Sequence, residues 1–275
     1  FHPDDKRPVF AFPWAGTTVL GTTDLDHKES LDKEPRIAGE EVDYLLRIST
    51  RLFPGAAISR SDVLSTWAGV RPVVTAEHST AGPKAPSKES REHEFREDMG
   101  LISIASGKLT TFRLIAREAL SRGLGGEEHL RPESGPVFRP APRLLRPANI
   151  NHQNWQRLTG FYGSDLCAVL QAGPTVPVSD DAASGSVPGE LLWAEVVWAC
   201  KHEDVKHLDD LMLRRTRLGL IAPEGGKALL PLVKQHCQST LNWNDDQWRA
   251  EEVRYMDLWR EAYSLPGHPE STHAV

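Results

Sequence analysis

The sequence predicts an α+β region over residues 1–122, a linker over 123–150 and an all-α region over 151–275. Three observations carry this. Short apolar runs of strand type are confined to the first region, prolines crowd the middle, and beyond residue 150 apolar residues recur almost wholly at helical spacing. With 275 residues, 39% hydrophobic and 25% charged, the chain has the make-up of a globular protein with a sizeable core. A net charge of −6 excludes a general nucleic-acid binder, which needs a basic surface to hold phosphates.

Taken in order, Val9–Phe12 and Thr17–Leu20 read as strands joined through Pro13-Trp-Ala-Gly16, a hairpin. Strands need neighbours, and this first one has none before it, so the chain is expected to be the later part of a longer protein. From Pro35 to Phe53 the residues Val42, Leu45, Leu46, Ile48 and Leu52 mark a helix closed by Pro54-Gly55. Val63–Trp67 and Val70–Val74 read as strands flanking Ala68-Gly69, and Glu77–Ser90 as a polar loop. A strand over Gly100–Ala105 then runs into a helix over Leu109–Arg122, whose apolar stripe is Phe112, Ile115, Ala116 and Ala119. Pro132, Pro136, Pro140, Pro142 and Pro147 make the linker extended. Beyond it, helices are expected at Asn154–Phe161, Ser164–Gln171, Glu190–Lys201, Glu203–Arg217, Gly225–Leu241 and Asp245–Tyr263, with a loop over Gly173–Gly189. Acidic Glu203-Asp204 and basic Arg214-Arg215 suit the two ends of one helix dipole.

Cys167, Cys200 and Cys237 are odd in number and never closely spaced, so they read as reduced core thiols of a cytosolic protein. The tryptophans lie mostly in helices, and Trp193, Trp198, Trp243, Trp248 and Trp259 read as core. His202, Glu203 and His207 miss the zinc-protease spacing, His236-Cys237 has no partners at metal spacing, and Ser164 lacks the glycines of a nucleophile elbow. No metal site is expected. No apolar run approaches the length of a membrane span, and no signal peptide precedes the first strand.

The chemistry-bearing stretch is Ser106-Gly-Lys-Leu-Thr-Thr-Phe-Arg113, a strand-to-helix turn that aims unpaired N–H groups, a lysine and hydroxyls at one point. It is not a nucleotide-triphosphate loop, because Gly100 lies too far from Gly107 and Leu109 replaces the hydroxyl residue. In Trp67-Ala-Gly-Val-Arg-Pro72 an arginine is held between Gly and Pro, which suits a clamp on phosphate or carboxylate. Ser90-Arg91-Glu-His93 offers a second arginine, and Gly21-Thr-Thr-Asp24 a turn of small and hydroxyl residues. Each also has an ordinary structural reading as a solvated or capped turn.

In their order along the chain, Phe12-Pro-Trp14, Gly21-Thr-Thr-Asp24, Trp67-Ala-Gly-Val-Arg-Pro72, Ser90-Arg91 and Ser106-Gly-Lys-Leu-Thr-Thr-Phe-Arg113 resemble the FAD-dependent glycerol-3-phosphate dehydrogenases of bacterial type. Leu213-Arg-Arg-Thr-Arg-Leu218 resembles that family's helical C-terminal domain. The resemblance implies part of an antiparallel-sheet substrate cap, the last strand and helix of a Rossmann-type FAD domain, and the all-α C-terminal domain. It implies oxidation of sn-glycerol 3-phosphate to dihydroxyacetone phosphate with FAD as cofactor and quinone as electron acceptor. Peripheral attachment to the inner face of the cell membrane and a homodimer are compatible with it. By the same resemblance Arg71, Arg91 and Lys108 contact the substrate, with Thr23 and Asp24 near it, while Gly107, Leu109 and Thr110 face the flavin. Ser106 stands where the family carries a second glycine, and its side chain would narrow the approach to the flavin. The chain has no Gly-x-Gly-x-x-Gly, and nothing in it matches the family's general base, so this portion is expected to be inactive alone. Alternatives are a glycerophosphate oxidase that uses oxygen, or a non-catalytic helical binding module.

Overall fold

The computed structural model describes residues 1–71, 93–105, 107–130, 143–180 and 190–267. They fall into two compact units, one of Phe1–Thr23, Leu31–Ala68 and Phe138–Val275, the other of Asp24–Ser30 and Gly69–Val137.

The larger unit opens with β1 (Phe10–Trp14) and β2 (Thr17–Gly21), an antiparallel hairpin with Phe12 opposite Val19. Its turn residues Ala15 and Gly16 both take positive φ, the geometry that matches the twist of paired strands. The expected hairpin is present, and Pro13 lies inside β1, which among the described residues pairs with β2 alone, so its missing N–H leaves no ladder bond unmade on the other side. Helix α1 (Gly39–Leu52) buries Val42 and Ile48 and carries Glu40 and Glu41 in its first turn. The residues before β1 pack onto it. His2 is fully buried, stacks on Tyr44 at 3.6 Å and meets the Tyr44 carbonyl at 2.9 Å.

Val63–Trp67 is not a strand, in contrast to the sequence reading. Its donors at Ser65 and Thr66 go to carbonyls of remote helical segments instead of a neighbouring strand. Thr66 N–H donates to the Tyr263 carbonyl at 2.8 Å, and Ser65 Oγ donates to the Leu220 carbonyl at 2.7 Å. Of the strand expected at Val70–Val74, the first two residues show no strand and the others lie outside the described residues.

The helical part comprises α3 (His152–Tyr162), α4 (Leu166–Ala172), α5 (Trp193–His202), α6 (Leu218–Ile221), α7 (Leu230–Cys237) and α8 (Asp245–Leu258). Helix α2 (Phe112–Leu124) belongs to the smaller unit. Asn151 and Asn244 cap α3 and α8 by accepting from amides three residues on. One core joins Trp193, Val196, Leu208, Leu211, Met212, Tyr255 and their neighbours; a second holds Ile150, Leu158 and Leu166. Trp193, Trp243, Trp248 and Trp259 are buried as expected, whereas Trp198 is half-buried and stacks against His202. Cys200 and Cys237 are buried thiols, and the hydrogen bond with Cys200, together with burial, pushes Cys237 well above the usual thiol range. Cys167 is the exception. It is exposed, because α4 turns Leu166 and Val169 inward and leaves Cys167 on the other side.

Two expected helices are interrupted. Glu203 closes α5 and Asp204 takes a positive φ, so the acidic pair does not start the next helix. Asp210 does that work: its carboxylate accepts from Lys206 and His207 N–H at 3.1 and 2.9 Å. Residues Asp210–Arg215 then form a wide π turn, as do Trp259–Tyr263 at the end of α8. Within the expected helix over 225–241, Glu224, Gly225 and Gly226 all take positive φ and only Leu230–Cys237 is α-helical. A Cβ on Gly225 would lie 2.7 Å from the Trp259 ring, so this turn requires glycine for space as well as φ.

The smaller unit contains β3 (Glu94–Asp98), β4 (Leu101–Ala105) and α2 (Phe112–Leu124). β3 and β4 pair antiparallel, Phe95 opposite Ile104. Helix α2 lies against this hairpin through polar links: His93 to Glu118 at 2.8 Å, and Arg122 to Glu97 at 3.3 Å and over the Phe95 ring at 4.6 Å. It ends on Gly125 in the left-handed region.

Candidate functional site

The smaller unit carries most of the residues singled out in the sequence. β4 ends at Ala105, and Gly107 follows with φ +103°. A Cβ there would come 2.7 Å from Ile115 Cδ1 and 3.3 Å from His93 Cβ. The turn therefore needs glycine, for space as well as for φ.

Lys108 stands at the N-cap of a short 3₁₀ turn, Leu109–Thr111, which leads directly into α2. Thr111 N–H and Oγ donate to the Lys108 carbonyl at 3.0 and 2.9 Å, which fixes the turn from within. Neither N-cap residue, Lys108 of the 3₁₀ turn or Thr111 of α2, makes a side-chain cap. Leu109 is 88% exposed and Thr110 is exposed, so the start of this helical run is turned to the outside. Uncapped N–H groups with the positive end of a helix dipole and a lysine beside them make an anion-favouring point. A flavin ring presents such an electron-rich edge, so Gly107, Leu109 and Thr110 fit the group the sequence resemblance calls for.

Arg71 and Asp24 are brought together. Arg71 Nη1 lies 3.4 Å from Asp24 Oδ1 and 3.5 Å from Oδ2, long contacts that hold the guanidinium loosely. Arg71 is 45% exposed and Asp24 only 19%, so the arginine is the more accessible member of the pair. Arg91 and Ser106 lie outside the described residues. Thr23 belongs to the larger unit and is spoken for in part: its Oγ donates to Glu41 Oε1 at 2.5 Å, while Glu41 Oε2 accepts from Ala38 N–H at the start of α1.

His93 is a neighbour of this turn that the sequence reading passed over as part of a solvated charge run. It borders Gly107 and bonds to Glu118, whose carboxyl the His93 and Arg122 contacts hold below the usual range. A signal was present, since Glu118 and Arg122 are four apart on one helix face.

Residues 1–107 match the family described as FAD dependent oxidoreductase, and residues 124–248 match the C-terminal domain of alpha-glycerophosphate oxidase. The chain is 28% identical over 269 residues to the glycerol-3-phosphate dehydrogenase of Synechocystis sp., covering 94% of this chain and 48% of that protein. It is 30% identical over 242 residues to the aerobic glycerol-3-phosphate dehydrogenase of Bacillus subtilis, covering 78% and 41%. To the mitochondrial glycerol-3-phosphate dehydrogenase of Bos taurus it is 26% identical over 268 residues, covering 90% and 35%. The chain thus spans about half the length, or less, of these relatives.

Proposed function

This chain belongs to the FAD-dependent glycerol-3-phosphate dehydrogenase family, and on that premise we propose that it forms part of an enzyme oxidising sn-glycerol 3-phosphate to dihydroxyacetone phosphate. The observation that carries the reading is the open turn Gly107–Thr111, an uncapped helical start with Lys108 at its mouth. Bound FAD would supply the two-electron chemistry. Gly107, Leu109 and Thr110 would hold its electron-rich edge at the helix start, where the dipole stabilises negative charge. Lys108 and Arg71 would hold the substrate, the accessible guanidinium matching two phosphate oxygens. Asp24 pairs with that guanidinium. Arg91 and Thr23 complete the proposed substrate set.

In this reading residues 1–122 belong to the substrate cap and the end of the FAD domain, 123–150 link, and 151–275 form the helical domain. Quinone is the proposed acceptor, at the inner face of the cell membrane. Among the described residues no helix is long and apolar enough to cross a membrane. No Gly-x-Gly-x-x-Gly occurs in the sequence, and the chain alone is therefore expected to retain no flavin and to be inactive.

The test is the visible spectrum of the purified full-length protein, before and after anaerobic addition of glycerol 3-phosphate. Bleaching of a flavin band supports the reading. A flavin band that ignores this substrate, or no flavin, overturns it. Reoxidation by a quinone without peroxide separates the dehydrogenase from an oxygen-using oxidase.

A further inference from the structure

We propose that His93 is a positioning residue: tied to Glu118 of α2, it walls the Gly107–Thr111 turn and holds that turn's N–H groups at the place proposed for the flavin edge. The inference deepens the reading of the turn as flavin-facing and rests on it. His93, Gly107 and Glu118 all belong to the smaller unit. A Cβ on Gly107 would lie 3.3 Å from His93 Cβ and 2.7 Å from Ile115 Cδ1. The Gly107 backbone is therefore wedged between the residue before β3 and the first turn of α2. His93 Nε2 in turn meets Glu118 Oε2 at 2.8 Å. Glu118 stands three residues after Ile115, on the same helix face. A closed circuit of contacts thus runs from Gly107 along the chain to Glu118 and back through His93.

That circuit supplies what the turn lacks. The bonds from Thr111 to the Lys108 carbonyl fix its local shape, but not its place beside the hairpin. No described residue of this unit is buried, so polar ties set how α2 lies on the strands where a closed core would otherwise do so. Two ties share one carboxylate: Glu118 accepts from Arg122 Nη2 at 2.9 Å and meets His93 at its other oxygen. Hydrogen bonds to an ionised carboxylate are among the strong ones, and these two contacts hold its carboxyl below the usual range. The His93 ring also stands edge-on to Phe95, centroids 5.4 Å apart, and Phe95 lies under the Arg122 guanidinium. The contacts advance in step, His93 to Glu118 nearer the turn and Phe95 to Arg122 further along α2. His93 is the member of this series that touches the turn itself, and its Nε2 is engaged by Glu118, which suits holding the backbone more than reacting.

The experiment uses the full-length, FAD-loaded protein and two readouts. One is hydrogen exchange of the Thr111 and Phe112 amides, which bond back to the Lys108 and Leu109 carbonyls and so report opening of the turn. The other is the flavin midpoint potential. His93→Ala is expected to speed that exchange about tenfold and to weaken the preference for reduced flavin about tenfold, a fall of about 30 mV for a two-electron couple. His93→Gln, whose side-chain amide donates to Glu118, should return both readouts towards wild type. Glu97→Ala cuts an Arg122 tie further along α2 and should leave both unmoved. Unmoved exchange in His93→Ala overturns the proposal, as does equal movement in Glu97→Ala, which would mean general loosening of the unit. Faster exchange with an unmoved potential overturns it as well, because the turn then does not face the flavin. Should His93→Ala fail to fold, Glu118→Ala decides on the same two readouts, since it removes the tie and leaves the ring. Neither readout needs glycerol 3-phosphate, so a wild-type flavin that ignores this substrate overturns the proposed reaction instead, and is told apart from a failed brace.

Discussion

The helical part of the larger unit and the β3–β4–α2 unit solve opposite problems with similar residues. In the helical part the two buried carboxylates, Glu195 and Asp209, are partnered by arginines. Glu195, 2% exposed, accepts from both Nη groups of Arg157 at 2.6 and 2.8 Å, from the Tyr162 hydroxyl at 3.0 Å and from Leu192 N–H at 2.8 Å. Asp209 is held between Arg214 and Arg254. In the smaller unit no described residue is buried, and its polar contacts are at the surface. Leu109, Phe112, Leu114 and Leu120 stay exposed there. A region that closes its own core can spend charges on fixing its shape, since each is compensated. A region that leaves its helix start open keeps backbone donors and cations available to something else.

That contrast can be broken by mutation. The largest effect is expected at Asp209→Ala, which leaves two arginines without their shared carboxylate and should cost about 3–5 kcal/mol of unfolding free energy. Urea unfolding of the full-length protein measures it, and a loss under 1 kcal/mol would mean the network is decorative. Leu211→Ala in the same core should cost about 2–5 kcal/mol by transfer and cavity terms, read in the same titration. In the smaller unit the expected loss is of function. Arg71→Ala should lower kcat/KM for glycerol 3-phosphate roughly 30-fold or more by removing charge-assisted bonds to phosphate, with unfolding unchanged. Loss of stability without loss of kcat/KM would put Arg71 with the structural arginines.

Acid sharpens the comparison further. Burial raises the Asp209 carboxyl, but the Arg214 hydrogen bond and the charges of Arg254 and Arg214 outweigh it and leave it below the usual range. A depressed folded pKa means the stabilisation is fully present above the unfolded value, near 3.8, and is lost as pH falls through the lower folded value. Asp209→Asn should therefore flatten the acid limb of the stability curve below about pH 4 relative to wild type. The smallest effect is Leu109→Ala. At 88% exposure it should shift unfolding by no more than about 0.5 kcal/mol, while a measurable change in the flavin spectrum would place it at the cofactor.

Much of this was legible along the chain. The hairpin, α1, the strand over 101–105 with its helix and most of the helical part follow from periodicity and from turn residues, which are local signals. So is the open turn, because Gly107 followed by Lys108 and a helix start is a contiguous pattern. Misread segments are those whose partners are remote. Val63–Trp67 has strand-like residues, yet the carbonyls of Tyr263 and Ser264 take its donors. Glu203-Asp204 has the charge of a helix start, but Asp210 caps the turn, and Glu251 accepts from Leu208 N–H at 3.0 Å across the fold.

What the sequence determined by itself is the class of each region, the family and the contiguous turn that carries the candidate chemistry. All of these reside in spacing over a few residues, where backbone geometry alone sets which groups meet. Only the tertiary structure decided that Asp24 pairs with Arg71, that His93 borders Gly107, that Cys167 faces outward, and that the end of α8 grips Thr66. Those pairings join residues far apart in the chain, and no local propensity encodes them. Burial decides them, because a donor or acceptor removed from water must find a partner wherever the packing brings one.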